Sequence, residues 1–211
     1  MKPLLWSTLA SLLVATTMHA QTRTIAERLG HPANSKLLIL HADDLGVAHS
    51  EDAASLDALD KGAVNSASIM IPTPWVTEVA EYAKKHPDAD LGLHLTLTSE
   101  WQTYRWGSVE SKDKVPALLN PDGNFPDNDS VVAVRASQDE IELELRAQIQ
   151  RAIAMGIHPT HLDSHMGSLF TTRAPRHVRE TGARISPTVS RSQTQSFRRR
   201  ADAADTERHS A

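Results

Sequence analysis

From Leu37 onward, short apolar runs alternate with segments of helical period. Leu37-Leu38-Ile39-Leu40 is a continuous apolar run of the kind carried by parallel strands buried on both faces. Ser50 to Lys61 has a helical pattern and stops at Gly62; Ser66 to Ile71 reads as a second strand and Pro74 to His86 as a second helix. In the third strand, Leu91 to Thr98, four leucines take one face while Gly92, His94, Thr96 and Thr98 take the other. A long polar loop follows from Ser99 to Ala136, with turn signals such as Asn120-Pro121-Asp122-Gly123. Ser137 and Glu140 have capping-box spacing, and Ile141, Leu145, Ile149 and Ile153 recur at four-residue steps before Gly156. Thr160 to His165 reads as a fourth strand. This succession predicts an α/β fold of βα units around a parallel sheet. Four strands do not close a barrel, which takes about eight strands and roughly 200 to 250 residues. The expectation over residues 35–172 is therefore a TIM-barrel-like (β/α) fold, incomplete.

The two ends read differently. Lys2, the apolar stretch Leu4 to Thr17 and Met18-His19-Ala20 have the order of a secretory signal peptide over residues 1–20. The apolar stretch is short and broken by Ser7, Thr8 and Ser11, which predicts export to the periplasm or beyond and no stable membrane anchor. Residues 21–34 read as a linker. From Arg173 to Ala211 nine Arg, no Lys and four acids give +5, so the preceding 172 residues carry −9. That segment has Val178, Ile185, Val189 and Phe197 as its large apolar residues, too few for further buried strands. It is expected to be a disordered, low-complexity basic tail, of a composition that an out-of-frame reading of a GC-rich gene also produces.

Composition narrows the chemistry. The 211 residues are 40% hydrophobic and 23% charged, ordinary for a globular chain. Cysteine is absent, which excludes disulfides, thiolate metal sites and a catalytic thiol. Any metal must sit on nitrogen and oxygen, and eleven histidines are available. Carboxylates outnumber Lys plus Arg by 26 to 22, so nothing suggests a nucleic-acid partner.

Three polar clusters fall at strand ends, where barrel-type folds place their chemistry. The first is His41-Ala42-Asp43-Asp44-Leu45-Gly46, whose adjacent carboxylates need a cation or another strong compensation to ionise together. The second is His94 on the polar face of the third strand. The third is His161-Leu162-Asp163-Ser164-His165, which if extended puts two imidazoles and a carboxylate on one face. One Asp and two His from separate strands make a three-ligand site with open positions, the arrangement of catalytic rather than structural metal. A divalent ion there activates water and polarises a carbonyl, so amide or ester hydrolysis follows.

In this order, His41-Ala42-Asp43-Asp44-Leu45-Gly46, Gly92-Leu93-His94-Leu95-Thr96-Leu97-Thr98 and Thr160-His161-Leu162-Asp163-Ser164-His165 resemble the signatures of the YdjC/ChbG carbohydrate deacetylase family. Ser99-Glu100-Trp101 and Tyr104-Arg105-Trp106-Gly107 are similar to an exported, hopanoid-biosynthesis-associated branch of it. The resemblance runs from Lys36 to about Thr172 and implies removal of acetyl groups from N-acetylated sugars such as chito-oligosaccharides. It implies Asp44, His94 and His165 as ligands of a divalent metal, Mg²⁺ or Zn²⁺, and Asp43 as the base that deprotonates the attacking water. His161 and Asp163 are expected to orient His165 or touch substrate, and Trp101 and Trp106 to stack on a sugar. Two alternatives stay open: another metal-dependent esterase or phosphoesterase, and an inactive carbohydrate-binding product.

Overall fold

A computed structural model describes residues 23–171 of the chain. The signal-peptide reading of residues 1–20 and the tail reading of 173–211 lie outside the described residues. The chain divides into two compact units, Met1–Leu38 and Ile39–Ala211. In the first, the stretch read as linker contains one helical turn, α1 (Ile25–Arg28). Its ends are tied by a capping box: Thr24 Oγ1 accepts the Glu27 N–H at 3.2 Å, and the Glu27 carboxylate accepts the Thr24 N–H at 2.7 Å.

The second unit carries four parallel strands, β1 (His41–Leu45), β2 (Ser66–Ile69), β3 (Leu91–Leu95) and β4 (Leu162–Ser164), side by side in chain order. Strand order without reversal is that of a barrel wall; a doubly wound sheet switches direction midway. Helices α2 (His49–Asp60), α3 (Val76–Lys85) and α5 (Gln138–Ala154) occupy the crossovers, as parallel pairing requires. The first strand departs from the sequence reading. Leu38 and Ile39 are 77% and 73% exposed, and pairing begins only at His41, opposite Ser66. Apolarity supplied the strand signal at Leu37–Leu40, but among the described residues no packed layer covers that run.

Alternation divides the sheet into two faces. Ala67, Ile69, Leu91, Leu93 and Leu95 join the hydrophobic core, while Ser66, Ser68, Gly92, His94 and Asp163 lie on the other face. Helix α3 buries Val76, Val79, Ala80 and Ala83 against that core. Helix α5 starts at the expected capping box and buries Ile141, Leu145 and Ile149, but Ile153 is 48% exposed and Ala152 is buried in its place. A four-residue step overshoots a turn by about 40°, so three steps carry Ile153 roughly 120° off the stripe, whereas Ala152 returns to within about 20°.

The stretch 99–136 is not the plain polar loop its composition predicts. It holds a 3₁₀ turn (Pro116–Leu118) and helix α4 (Asp129–Arg135), capped by Asn128 Oδ1 accepting the Val131 N–H at 3.1 Å. Trp106, Val115, Leu118, Phe125 and Val132 are buried within it. Two buried polar residues of α5 fasten this stretch and the end of β3. Glu144 accepts the N–H groups of Val109 and Glu110 at 3.0 and 2.9 Å. Gln148 clasps Thr96 on both sides, Nε2 donating to its carbonyl at 2.7 Å and Oε1 accepting its N–H at 3.1 Å. These bonds satisfy backbone groups that no strand partner reaches.

Candidate active site

Regular pleating would send Asp43 and Asp44 to opposite faces of β1. Instead the β1–β2 register shifts between Ala42 and Leu45, and Asp44 has φ +61°, a left-handed conformation that Asp tolerates better than most residues. Such a bulge re-aims a side chain. Asp44 Oδ1 comes to lie 3.0 Å from His165 Nδ1 and 3.3 Å from His94 Nε2. The turn that follows is tightly held. Gly46 has φ +98°, and a Cβ there would lie 2.8 Å from Thr73 Oγ1 and 3.2 Å from the Met70 carbonyl. The Gly46 N–H donates to Asp52 Oδ1 at 2.6 Å. Asp52 is fully buried and its Oδ2 has no hydrogen-bond partner; burial lifts its pKa to about 6 despite the Gly46 bond.

His94 and His165 are 6% and 4% exposed, with ring centroids 5.3 Å apart. Each is gripped from behind. His94 Nδ1 donates to Asp163 Oδ1 at 2.7 Å, and Ser68 Oγ donates to Asp163 Oδ2 at 2.9 Å. His165 Nε2 donates to Glu100 Oε2 at 3.0 Å. Burial opposes charge on His94, but its bonds to Asp163 and Asp44 outweigh it and raise its pKa to about 9. The same opposition, with Asp44 and Glu100 as partners, raises His165. Burial pushes Asp44 up, yet the two imidazoles overcome it and hold its carboxyl well below the usual range. In Asp163 burial is likewise overcome, by His94.

The three residues expected to share an ion thus converge: one ligand atom each from Asp44, His94 and His165 lies within 4.8 Å of the others. Two buried imidazoles, oriented by outer carboxylates, and one partly exposed carboxylate fit a divalent transition-metal ion with positions left open. Asp43, the neighbour of Asp44 along β1, is exposed. Glu51 of α2 has its pKa raised by burial and by the carboxylates of Asp44, Asp52 and Asp43.

Other assignments change. Asp163 orients His94 and not His165, because β4 ends at Ser164 and the chain turns into a 3₁₀ segment at His165, where the two-residue period stops. The partner of His165 is Glu100, which the strand pattern does not single out because it lies past the end of β3. His161 stands apart from the triad, its Nδ1 2.9 Å from Thr160 Oγ1. Trp106 is 3% exposed, donates from Nε1 to the Thr98 carbonyl at 2.8 Å and meets His165 edge-on at 6.1 Å, so it walls the site. Trp101 is 43% exposed, packs on Trp106 and Tyr104, and keeps a free surface.

Comparison with known proteins places this α/β chain. Residues 37–210 match the YdjC-like protein family, and the chain belongs to it. That match continues past Thr172, where the motif resemblance ends. A carbohydrate deacetylase of Thermus thermophilus is 37% identical over 146 residues, covering 69% of this chain and 49% of the relative. One from Geobacillus stearothermophilus is 35% identical over 127 residues, covering 60% and 48%. The chain spans about half the length of the curated relatives it matches. An Enterococcus faecalis V583 crystal structure, of a protein whose suggested role is cellobiose-phosphate cleavage, superposes with TM-score 0.55 at 28% identity, covering 61% of this chain and 48% of that one.

Proposed function

We propose that this chain is a metal-dependent carbohydrate deacetylase that converts an N-acetylated sugar of the chito-oligosaccharide type and water into the free amine and acetate. The observation that carries the reading is the meeting of Asp44, His94 and His165 from three separate strand ends at one point. These residues would hold a divalent cation, and mixed imidazole and carboxylate donors favour Zn²⁺ or a similar transition metal over Mg²⁺, which prefers oxygen. When bound, the cation polarises the acetamide carbonyl and lowers the pKa of water.

The protein's own groups do the rest. Asp163 and Glu100 lock the two imidazoles in place, so no rotamer search precedes binding. Asp43, exposed beside Asp44, accepts the proton of the attacking water and returns it to the sugar nitrogen as the C–N bond breaks. Trp101 offers a flat apolar face to a pyranose ring at the mouth of the site, while buried Trp106 keeps water from the back of His165. A secretory signal peptide at residues 1–20, as their sequence pattern implies, would put this activity outside the cytoplasm.

The test is acetate release from N-acetylated chito-oligosaccharides by the full chain, with and without a chelator. Release that a chelator abolishes and that Asp43→Asn lowers by about 100-fold or more supports the reading. Release indifferent to chelation, or hydrolysis of acetyl or phosphate esters without any of the amide, contradicts it.

A further inference from the structure

The polar face of the sheet carries a second cluster with the same donor types. His41, His161 and Asp163 each bring a ligand atom within 4.8 Å of the other two. We infer that these three side chains form a second divalent-cation site, separate from the Asp44, His94 and His165 centre and linked to it through Asp163.

Three features point to a ligand. Each imidazole has Nδ1 held by a partner in the protein, which turns Nε2 toward the cluster as the ligating atom; His41 Nε2 also lies 3.0 Å from Ser68 Oγ, a contact that an incoming cation would replace. His41 Nδ1 pairs with Ser66 Oγ at 2.9 Å, and His161 Nδ1 pairs with Thr160 Oγ1 at 2.9 Å and lies 3.5 Å from Asp90 Oδ1. Thr160 Oγ1 in turn donates to Asp90, which completes a hydrogen-bonded support behind the ring. The second feature is Gly92. A Cβ at that position would fall 2.3 Å from His161 Nε2, so β3 has no side chain where the imidazole nitrogen lies. Alanine there would push the ring out of its place. The third is the division of labour within Asp163, whose Oδ1 serves His94 at 2.7 Å while Oδ2, which accepts from Ser68 Oγ at 2.9 Å, also faces His41 Nε2 at 3.3 Å.

Donor chemistry sets the class of ion. Two neutral imidazoles and one carboxylate suit Zn²⁺ and its transition-metal neighbours, and leave one or more positions for water. Ligand atoms about 2.1 Å from a tetrahedral ion stand roughly 3.4 Å apart, so small side-chain rotations close the cluster. His41 is exposed and His161 and Asp163 are partly exposed, which gives an ion a route in.

The experiment is a Zn²⁺ titration of the full chain, stripped of metal, in competition with a chromophoric chelator. Two equivalents are expected, and His41→Ala, His41→Gln, His161→Ala and His161→Gln are each expected to retain one. Asp44→Asn is expected to retain the other, and Asp44→Asn with His41→Ala to bind none. Far-ultraviolet circular dichroism identifies any variant that has not folded, and the Gln and Ala versions guard against losing one to misfolding. A single equivalent in the unsubstituted chain that Asp44→Asn removes overturns this inference and leaves the proposed function standing. Two equivalents that persist in every folded His41 and His161 variant overturn it as well. No binding at all overturns both.

Discussion

Gln148 is the residue on which the link between α5 and the site turns, and truncating it tests how that link is held. Its side chain is fully buried, and it satisfies both backbone groups of Thr96, a residue that is itself fully buried. It also donates to Glu144 Oε1 at 2.8 Å. Gln148→Ala leaves the Thr96 N–H and carbonyl unpaired in the interior, at about 1 to 3 kcal/mol for each orphaned group. Water entering the vacated space recovers part of this, so a loss of about 3 to 4 kcal/mol is expected. In a chain of this size each kcal/mol moves the melting temperature by about 2 to 4 °C, which gives a fall of roughly 6 to 16 °C. Gln148→Leu fills the space without supplying a donor or acceptor and is expected to cost at least as much. Urea denaturation of both variants is the assay, with the slope checked for constancy. A loss below about 1 kcal/mol in both would mean that Thr96 finds other partners, and would refute the reasoning.

Three further outcomes follow from the site. Asp52 has its pKa raised from 3.8 to about 6 in the folded chain, so the folded state binds the extra proton and stability falls as pH rises through that window. Asp52→Asn removes that penalty, and its stability relative to the parent should grow by up to roughly 3 kcal/mol between pH 4 and pH 8; denaturation midpoints that stay parallel across that range would contradict this. Glu100→Ala frees His165 and should weaken Zn²⁺ binding at the Asp44, His94 and His165 centre by about 10- to 100-fold in chelator competition, whereas unchanged affinity would show Glu100 to be a bystander. His94, with its pKa near 9, and His165, raised as well, must give up protons to take a cation, so apparent affinity should rise by at least about tenfold for each pH unit from 6 to 8. A flat profile would show that the imidazoles of the site carry no extra proton before a cation enters, and would contradict the raised pKa.

Much of the fold was legible because periodicity is a local property. The β3 leucines and the α5 capping box follow from spacing alone, and α3 lies within the helix read from Pro74 to His86. The triad was legible because three motifs at strand ends are brought together by parallel winding. What escaped depended on geometry that spacing does not encode. Leu37–Leu40 has the apolarity of a strand but lacks a covering layer among the described residues. Asp163 and His165 share a two-residue spacing, yet the strand stops between them and sends them to different partners. Glu100 lies in a stretch read as polar loop, and only the folding of that stretch over β3 delivers it to His165. Asn128 ahead of Asp129-Ser130-Val131-Val132 was an available capping signal for α4.

Crystals of the full chain grown with zinc and measured on both sides of the zinc absorption edge give the most direct view of where a cation goes. The account predicts an anomalous peak within coordination distance of Asp44, His94 and His165 together. A chain that places zinc elsewhere and leaves those three side chains bonded to one another would contradict it.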